Sequence, residues 1–439
     1  MPIQFSDRWG VPLQAADPDA VSSFNDAVED LVTLSGDPGA AADAAVASPG
    51  GPVLGHVVRA YLALYGASAE GLGVASGALE EAARADDGPG EREVLHLRAA
   101  RSWLEGDWVG AGHWLERALL HEARDLLALR VAQDLHFVLG DRAGLLRVAE
   151  QAVPAWTPGE PGWGYVQGIL AFGLEENARY REAETSARAA LGSSADDVWA
   201  VHALAHVFEM EGRPDDGVDF LCETEDNWAP SYFAVHNWWH RALYHLELGQ
   251  LDEVLGLYDG PIRAGRSSEW LDVDDAAALL WRLSLFGVDV SGRAAQLSDD
   301  IEPLLAEPVY VFNDWHAVMA FGLAGRHDLS HRVLEANRER ARGTNRARVD
   351  AAGLALLDGF SLFGEGQFGR AFDRLADVHS AAHAVGGSHA QRDVIDLTLL
   401  AAATRAGRTA EAEHLAARRR GRKPSAAPAV GRLLASNAG

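Results

Sequence analysis

Gly106-Asp107-Trp108, with Ala111 five positions after the glycine, is the stretch whose reading decides the fold. A small residue, a polar one and a bulky one recur in this order at Ala178-Arg179-Tyr180, Gly249-Gln250-Leu251 and Gly366-Gln367-Phe368. Marking such turns gives positions 66, 106, 140, 178, 212, 249, 287, 325, 366 and 407, at intervals of 34 to 41 residues. A second small residue follows five later at Gly71, Ala111, Ala183, Gly217, Ala371 and Ala412. Glycine lets one helix end in a left-handed turn. The second small residue lets the next helix pack closely on the first.

That spacing is the helix-turn-helix period of tetratricopeptide repeats, about 34 residues. A single pair cannot bury its own apolar face, so pairs stack. The expected fold is all-α, a tetratricopeptide-like α-solenoid of about ten helix pairs forming one tightly coiled superhelix. Residues 1–50 read as an N-terminal segment and capping helix, 51–419 as one continuous repeat array, and 420–439 as a basic, flexible tail. The acidic stretch from Glu223 to Tyr232, with Trp228 and Pro230, reads as a connector or a lid.

Composition narrows the function. The chain has 439 residues, 64 acidic against 38 basic, for a net charge of −26. Phosphate recognition needs a basic footprint, so neither nucleic acid nor anionic lipid is an expected partner. Lys423 is the only lysine, which disfavours Walker-type NTPases and Schiff-base chemistry. The single cysteine, Cys222, excludes intrachain disulfides and thiolate metal sites. Neither a signal peptide nor an apolar span is evident. The cytoplasm is the expected location.

Four runs carry a family resemblance: Ala171-Phe-Gly-Leu-Glu-Glu176; Val201-His-Ala-Leu-Ala-His-Val-Phe-Glu-Met-Glu-Gly-Arg213; Phe233-Ala-Val-His-Asn-Trp-Trp-His240 and on to Gly249; and Asn313-Asp-Trp-His-Ala-Val-Met-Ala-Phe321. In order and spacing they resemble the tetratricopeptide repeat protein 38 family, over nearly the whole chain. The resemblance implies an all-helical repeat protein and supplies no reaction.

The helix before each turn should face inward. Counting back from the turns at about 100° per residue, His56, His96, His202, His206, His236, His240 and His316 fall in one sector about 100° wide. Tyr165, Glu176, Trp239 and Asp274 share it. Random placement of the 17 histidines would put about two there. His202/His206 and His236/His240 are pairs four apart, a spacing that suits two imidazoles on one metal ion. Spacing alone decides little, because His327/His331 and His379/His383 repeat it on outer helices. Neither inner pair is a zincin helix, since Ala203 and Asn237 stand where the general-base glutamate belongs. No nucleophile elbow or dinucleotide-binding glycine fingerprint is present.

Two functions follow. In the first, a histidine- and carboxylate-lined inner pocket binds or acts on a small polar molecule by acid-base chemistry, as a lyase, hydrolase or isomerase. Glu176, His202 and His316 are then the catalytic candidates, and His56, His96, Tyr165 and Trp239 the ligand contacts. His202, His206, His236 and His240 are the candidate ligands of one divalent ion: zinc, iron, manganese or nickel. In the second, the chain is a tetratricopeptide scaffold that receives a protein or peptide partner in its groove without catalysis.

Overall fold

The computed structural model describes residues 3–47, 50–84, 88–305 and 307–437. Among the described residues the protein is all-α apart from one hairpin, β1 (Ile3–Ser6) against β2 (Pro12–Ala15), antiparallel with Phe5 opposite Leu13. Among the described residues, no helix is long and apolar enough to cross a membrane.

A helix precedes each of the ten turns. These inner helices are α1 (Val53–Tyr65), α2 (Glu91–Leu104), α3 (Leu126–Val138), α4 (Trp163–Glu176), α5 (Val198–Glu211), α6 (Ala234–Leu248), α7 (Trp270–Leu285), α8 (Val311–Leu323), α9 (Leu354–Gly364) and α10 (His389–Arg405). The last described helix is α11 (Ala427–Asn437).

The turns form as the glycines require. Gly106 sits at φ 85°, its N–H bonded to Trp103 O and that of Asp107 to Ser102 O. This is the paired closure of a Schellman motif. Asp107 then caps the following helix by accepting from Gly110 N at 2.9 Å. Two turns depart from the glycine rule. Ala178 takes the left-handed conformation at φ 60° without being glycine. At the first turn Gly66 stays right-handed and Ala67 takes φ 44°.

The small residue after the turn works by close approach. A Cβ at Gly217 would lie 2.5 Å from the ring of Tyr244, which is buried and donates its hydroxyl to Ala205 O at 2.6 Å. Gly217→Ala is therefore expected to destabilise the protein by about 1–3 kcal/mol through overpacking. Urea unfolding checks this, and a loss below about 0.5 kcal/mol, the range of an indifferent surface change, would mean the ring can retreat.

By their internal contacts the residues fall into two compact units. The first comprises 1–204 with 225–233, the second 205–224 with 234–439. In the first, the hairpin and the Pro18–Thr33 helix cover the inner helices. Asp7, next to β1, meets Arg92 of α2 at 2.9 Å, and Phe24 is fully buried. The stretch read as connector or lid is packed into this unit. Trp228 is fully buried, Tyr232 donates to Asp30 O at 3.2 Å, and Ser231 bonds Leu34 O.

In the second unit the inner helices close on one another. Trp281 of α7 donates from Nε1 to Thr398 Oγ1 of α10 at 2.9 Å. Arg282 donates to Ala390 O at 2.8 Å. At the crossing of α8 and α9, a Cβ on Gly364 would meet Gly322 Cα at 2.9 Å. The flexible tail expected from composition is instead an ordered segment ending in α11. Val430 and Leu433 are buried, and Asn437 donates to Leu285 O at 2.8 Å. Composition read only the exposed arginines. It missed the apolar stripe that the segment buries.

Candidate functional site

The second unit brings three of the inner-face histidines together. His206 comes from α5, and His236 and His240 from successive turns of α6. Their side chains offer ring nitrogens within 4.8 Å of one another. The His206 and His240 rings are 4.5 Å apart, edge to face, and those of His236 and His240 4.9 Å apart. All three are buried.

Two residues fix this geometry. His236 donates from Nδ1 to Asp275 Oδ2 of α7 at 2.7 Å. That bond sets the tautomer and leaves the Nε2 lone pair turned away from the carboxylate. Trp239 stacks on His236 at 5.2 Å, nearly parallel, and stands on edge to His240. The Arg282 guanidinium lies over the indole at 5.3 Å. Trp239 is thus a wall of the cluster, with no surface exposed for a ligand.

Electrostatics keep His206 and His240 neutral. Burial pushes His206 well below the usual imidazole range, and His236, His389 and Arg392 add to it. His240 is lowered by burial, then by His206, His236 and Arg282. Asp275 is raised by burial, which the His236 contact only partly offsets. Asp272 is pushed up to about 6 by burial.

The remaining expected site residues are placed as follows. His202 lies four residues before His206 on the same helix, hence on the same face. Its ring is boxed by Phe172, Trp199 and Phe233 at 5.2, 4.9 and 5.1 Å. His316 donates from Nδ1 to Phe312 O at 2.8 Å, with Asp274 at 3.8 Å, and burial lowers it to about 3. Glu176 is buried at the end of α4 beside Glu175. His56 faces Glu81 at 3.4 Å, and burial lowers its pKa. Tyr165 donates to Glu29 Oε1 at 3.2 Å. His96 meets Asp125 at 3.1 Å and the Tyr61 hydroxyl at 3.1 Å.

The residue that sequence reasoning missed is Asp275. Its neighbour Asp274 falls in the inward sector, and a helical-wheel sector has no way to register a carboxylate that reaches a ring on the adjacent helix.

No family model matches the chain. Among solved structures, it is similar to the human IFIT1 dimer with PPP-AAAA, at 13% identity and a TM-score of 0.42, covering 94% of each chain. It is similar also to a chain of the APC/C hetero-tetramer Cut9-Hcn1, at 12% identity and a TM-score of 0.40, over 84% of this chain and 68% of that one. Likenesses this remote bear on no residue of the site.

A second feature of this unit lies at the helix ends. Lys423 places its ammonium 2.9 Å from Glu209 of α5 and in contact with Glu247 of α6. Ser425 donates to Glu247 at 2.6 Å. α11 then runs on to the ends of α7 and α10, where Ser436 reaches Phe286 O and Arg405 reaches Asn437. A small cleft of about 30 Å³ lies here, lined by Glu209, Glu247, Arg282 and Asp393 among others.

Proposed function

We propose that this protein is a cytoplasmic helical-repeat scaffold, without catalysis, that takes a short segment of a protein partner across the ends of α5, α6 and α7. The observation that carries the reading is the seat of the chain's own C-terminal segment. It is a strap made of one lysine held between two carboxylates, followed by a short helix that buries Val430 and Leu433. A lysine followed by an amphipathic helical turn is the chemistry this surface recognises. Helix-in-groove docking reads such anchors at helical spacing. A partner segment would displace the strap.

The acid-base reading has less support. The imidazoles of the cluster are packed against Trp239 and one another.

The test uses the full chain. A labelled peptide copying residues 421–437 is expected to bind the Lys423→Glu variant at least about tenfold more tightly than the native chain. In the native chain the tethered strap competes at roughly millimolar effective concentration. Fluorescence anisotropy reads the binding and far-UV circular dichroism checks the fold. Equal, weak binding by both folded proteins would reject the reading.

A further inference from the structure

We propose that His206, His236 and His240 are the ligands of one zinc-class divalent ion, with Asp275 as the positioning residue that orients His236. This site is separate from the strap and does not rest on it.

Other histidines of the fold meet acidic or hydroxyl groups. His96 serves Asp125 and Tyr61, His136 serves Glu116 and Asp141 at 2.9 and 3.0 Å, and His379 serves Asp396 at 2.6 Å. Each is one imidazole among carboxylates or hydroxyls. The trio differs, because three imidazoles from two helices face one another and the Asp275 carboxylate stands behind one of them. Imidazoles in mutual contact bring several nitrogen lone pairs to one place. A cation at their centre uses those lone pairs.

The geometry fits the ion. Zinc–nitrogen bonds of about 2.05 Å at tetrahedral angles put ligand nitrogens about 3.3 Å apart. The ring nitrogens already lie within 4.8 Å, so closure needs a shift of roughly an ångström or less per ring. The pair on α6 is spaced i,i+4, and His206 enters from the neighbouring helix, so two helices are clamped by one ion. The Asp275–His236 bond is the carboxylate–histidine–metal relay found behind metal-bound imidazoles, which raises ligand basicity and holds the ring. Imidazole-only donors suit zinc, with nickel and copper as competitors of the same chemical class. The burial of all three rings means that the ion enters as the chain folds or through local opening.

The experiment strips the full chain with chelator and titrates it with cobalt(II), a coloured probe of tetrahedral zinc sites, and then with zinc. About one equivalent is expected, with visible bands that zinc displaces. X-ray absorption of the zinc-loaded chain should show imidazole nitrogens at about 2.0 Å. Asp275→Asn should retain one equivalent but bind roughly 10- to 100-fold more weakly. His240→Gln should abolish the cobalt bands, and His316→Gln, outside the cluster, should leave them unchanged. Should His240→Gln fail to fold, the absorption spectrum of the native chain still decides. Absence of a stoichiometric cobalt band, a first shell without imidazole, or an Asp275→Asn chain that binds as tightly as the native one would overturn the assignment.

Discussion

Arg92→Leu is expected to destabilise the first unit by about 3–5 kcal/mol, because it strands two buried carboxylates without their cation. Arg92 Nε lies 2.7 Å from Asp125, and Nη1 lies 2.9 Å from Asp7, with all three side chains buried. Burial alone would raise Asp125, but Arg92 and His96 outweigh it and hold its carboxyl far below the usual range. At Asp7, which takes a single contact from the guanidinium, burial prevails and the pKa rises. The network ties the N-terminal hairpin to α2 and to the cap of α3, since Asp125 also accepts from Ala128 N at 3.1 Å. The sign of its pH dependence follows. A carboxyl with a lowered folded pKa contributes stability that is complete above the unfolded value near 3.9 and vanishes as pH falls through the folded one. The native and Arg92→Leu chains should therefore differ fully at pH 7 and converge in strong acid. Guanidinium unfolding and hydrogen exchange across the hairpin measure both effects. A loss under about 1 kcal/mol at pH 7, typical of an ordinary substitution, would mean the network is replaceable.

Asp197→Asn should act in the opposite direction and only on one side of neutrality. Asp197 caps α5 by accepting from Ala200 N at 3.0 Å, and its other oxygen is buried against Gly168. Burial pushes its pKa up to about 7, against the two backbone N–H groups and Arg130 that favour the charge. A carboxyl raised in the folded state is most favourable where it is protonated, and stability is lost as pH rises from about 4 through 7. The rise of about three pH units corresponds to at most about 4 kcal/mol. The helix N-terminus favours the anion by about 0.3–1 kcal/mol, so we expect Asn to stabilise the protein by about 2–3 kcal/mol at pH 8.5. Near pH 4, where that loss begins, the two chains should be nearly equal. Thermal unfolding at the two pH values reads the difference. A variant less stable at pH 8.5 would mean the ionised cap is worth more than its burial.

Both networks bear on how much of the site could be read in advance. The sector of inward histidines was visible because helical period and turn spacing are local properties of the chain. The rings then divided. His96 went to Asp125, His316 to its own backbone, and His206, His236 and His240 to one another. Position on a helix face says which way a side chain points. It does not say which neighbour arrives there, and that neighbour decides whether an imidazole is a core hydrogen-bond donor, an aromatic filler or a metal ligand. The same limit hid the strap. Lys423 was legible as the only lysine, but its two carboxylate partners lie 214 and 176 positions earlier in the chain.

The pattern of amino acids by itself determined the helix pairs, their turns and the faces turned inward. These follow from backbone sterics at glycine and from a 3.6-residue period, both acting over a few residues. The tertiary structure alone decided the division into two units, the seating of the C-terminal segment and the meeting of three imidazoles beside Asp275. Those depend on which helices come to lie side by side after the pairs stack, and contacts between residues far apart in the chain leave no local trace.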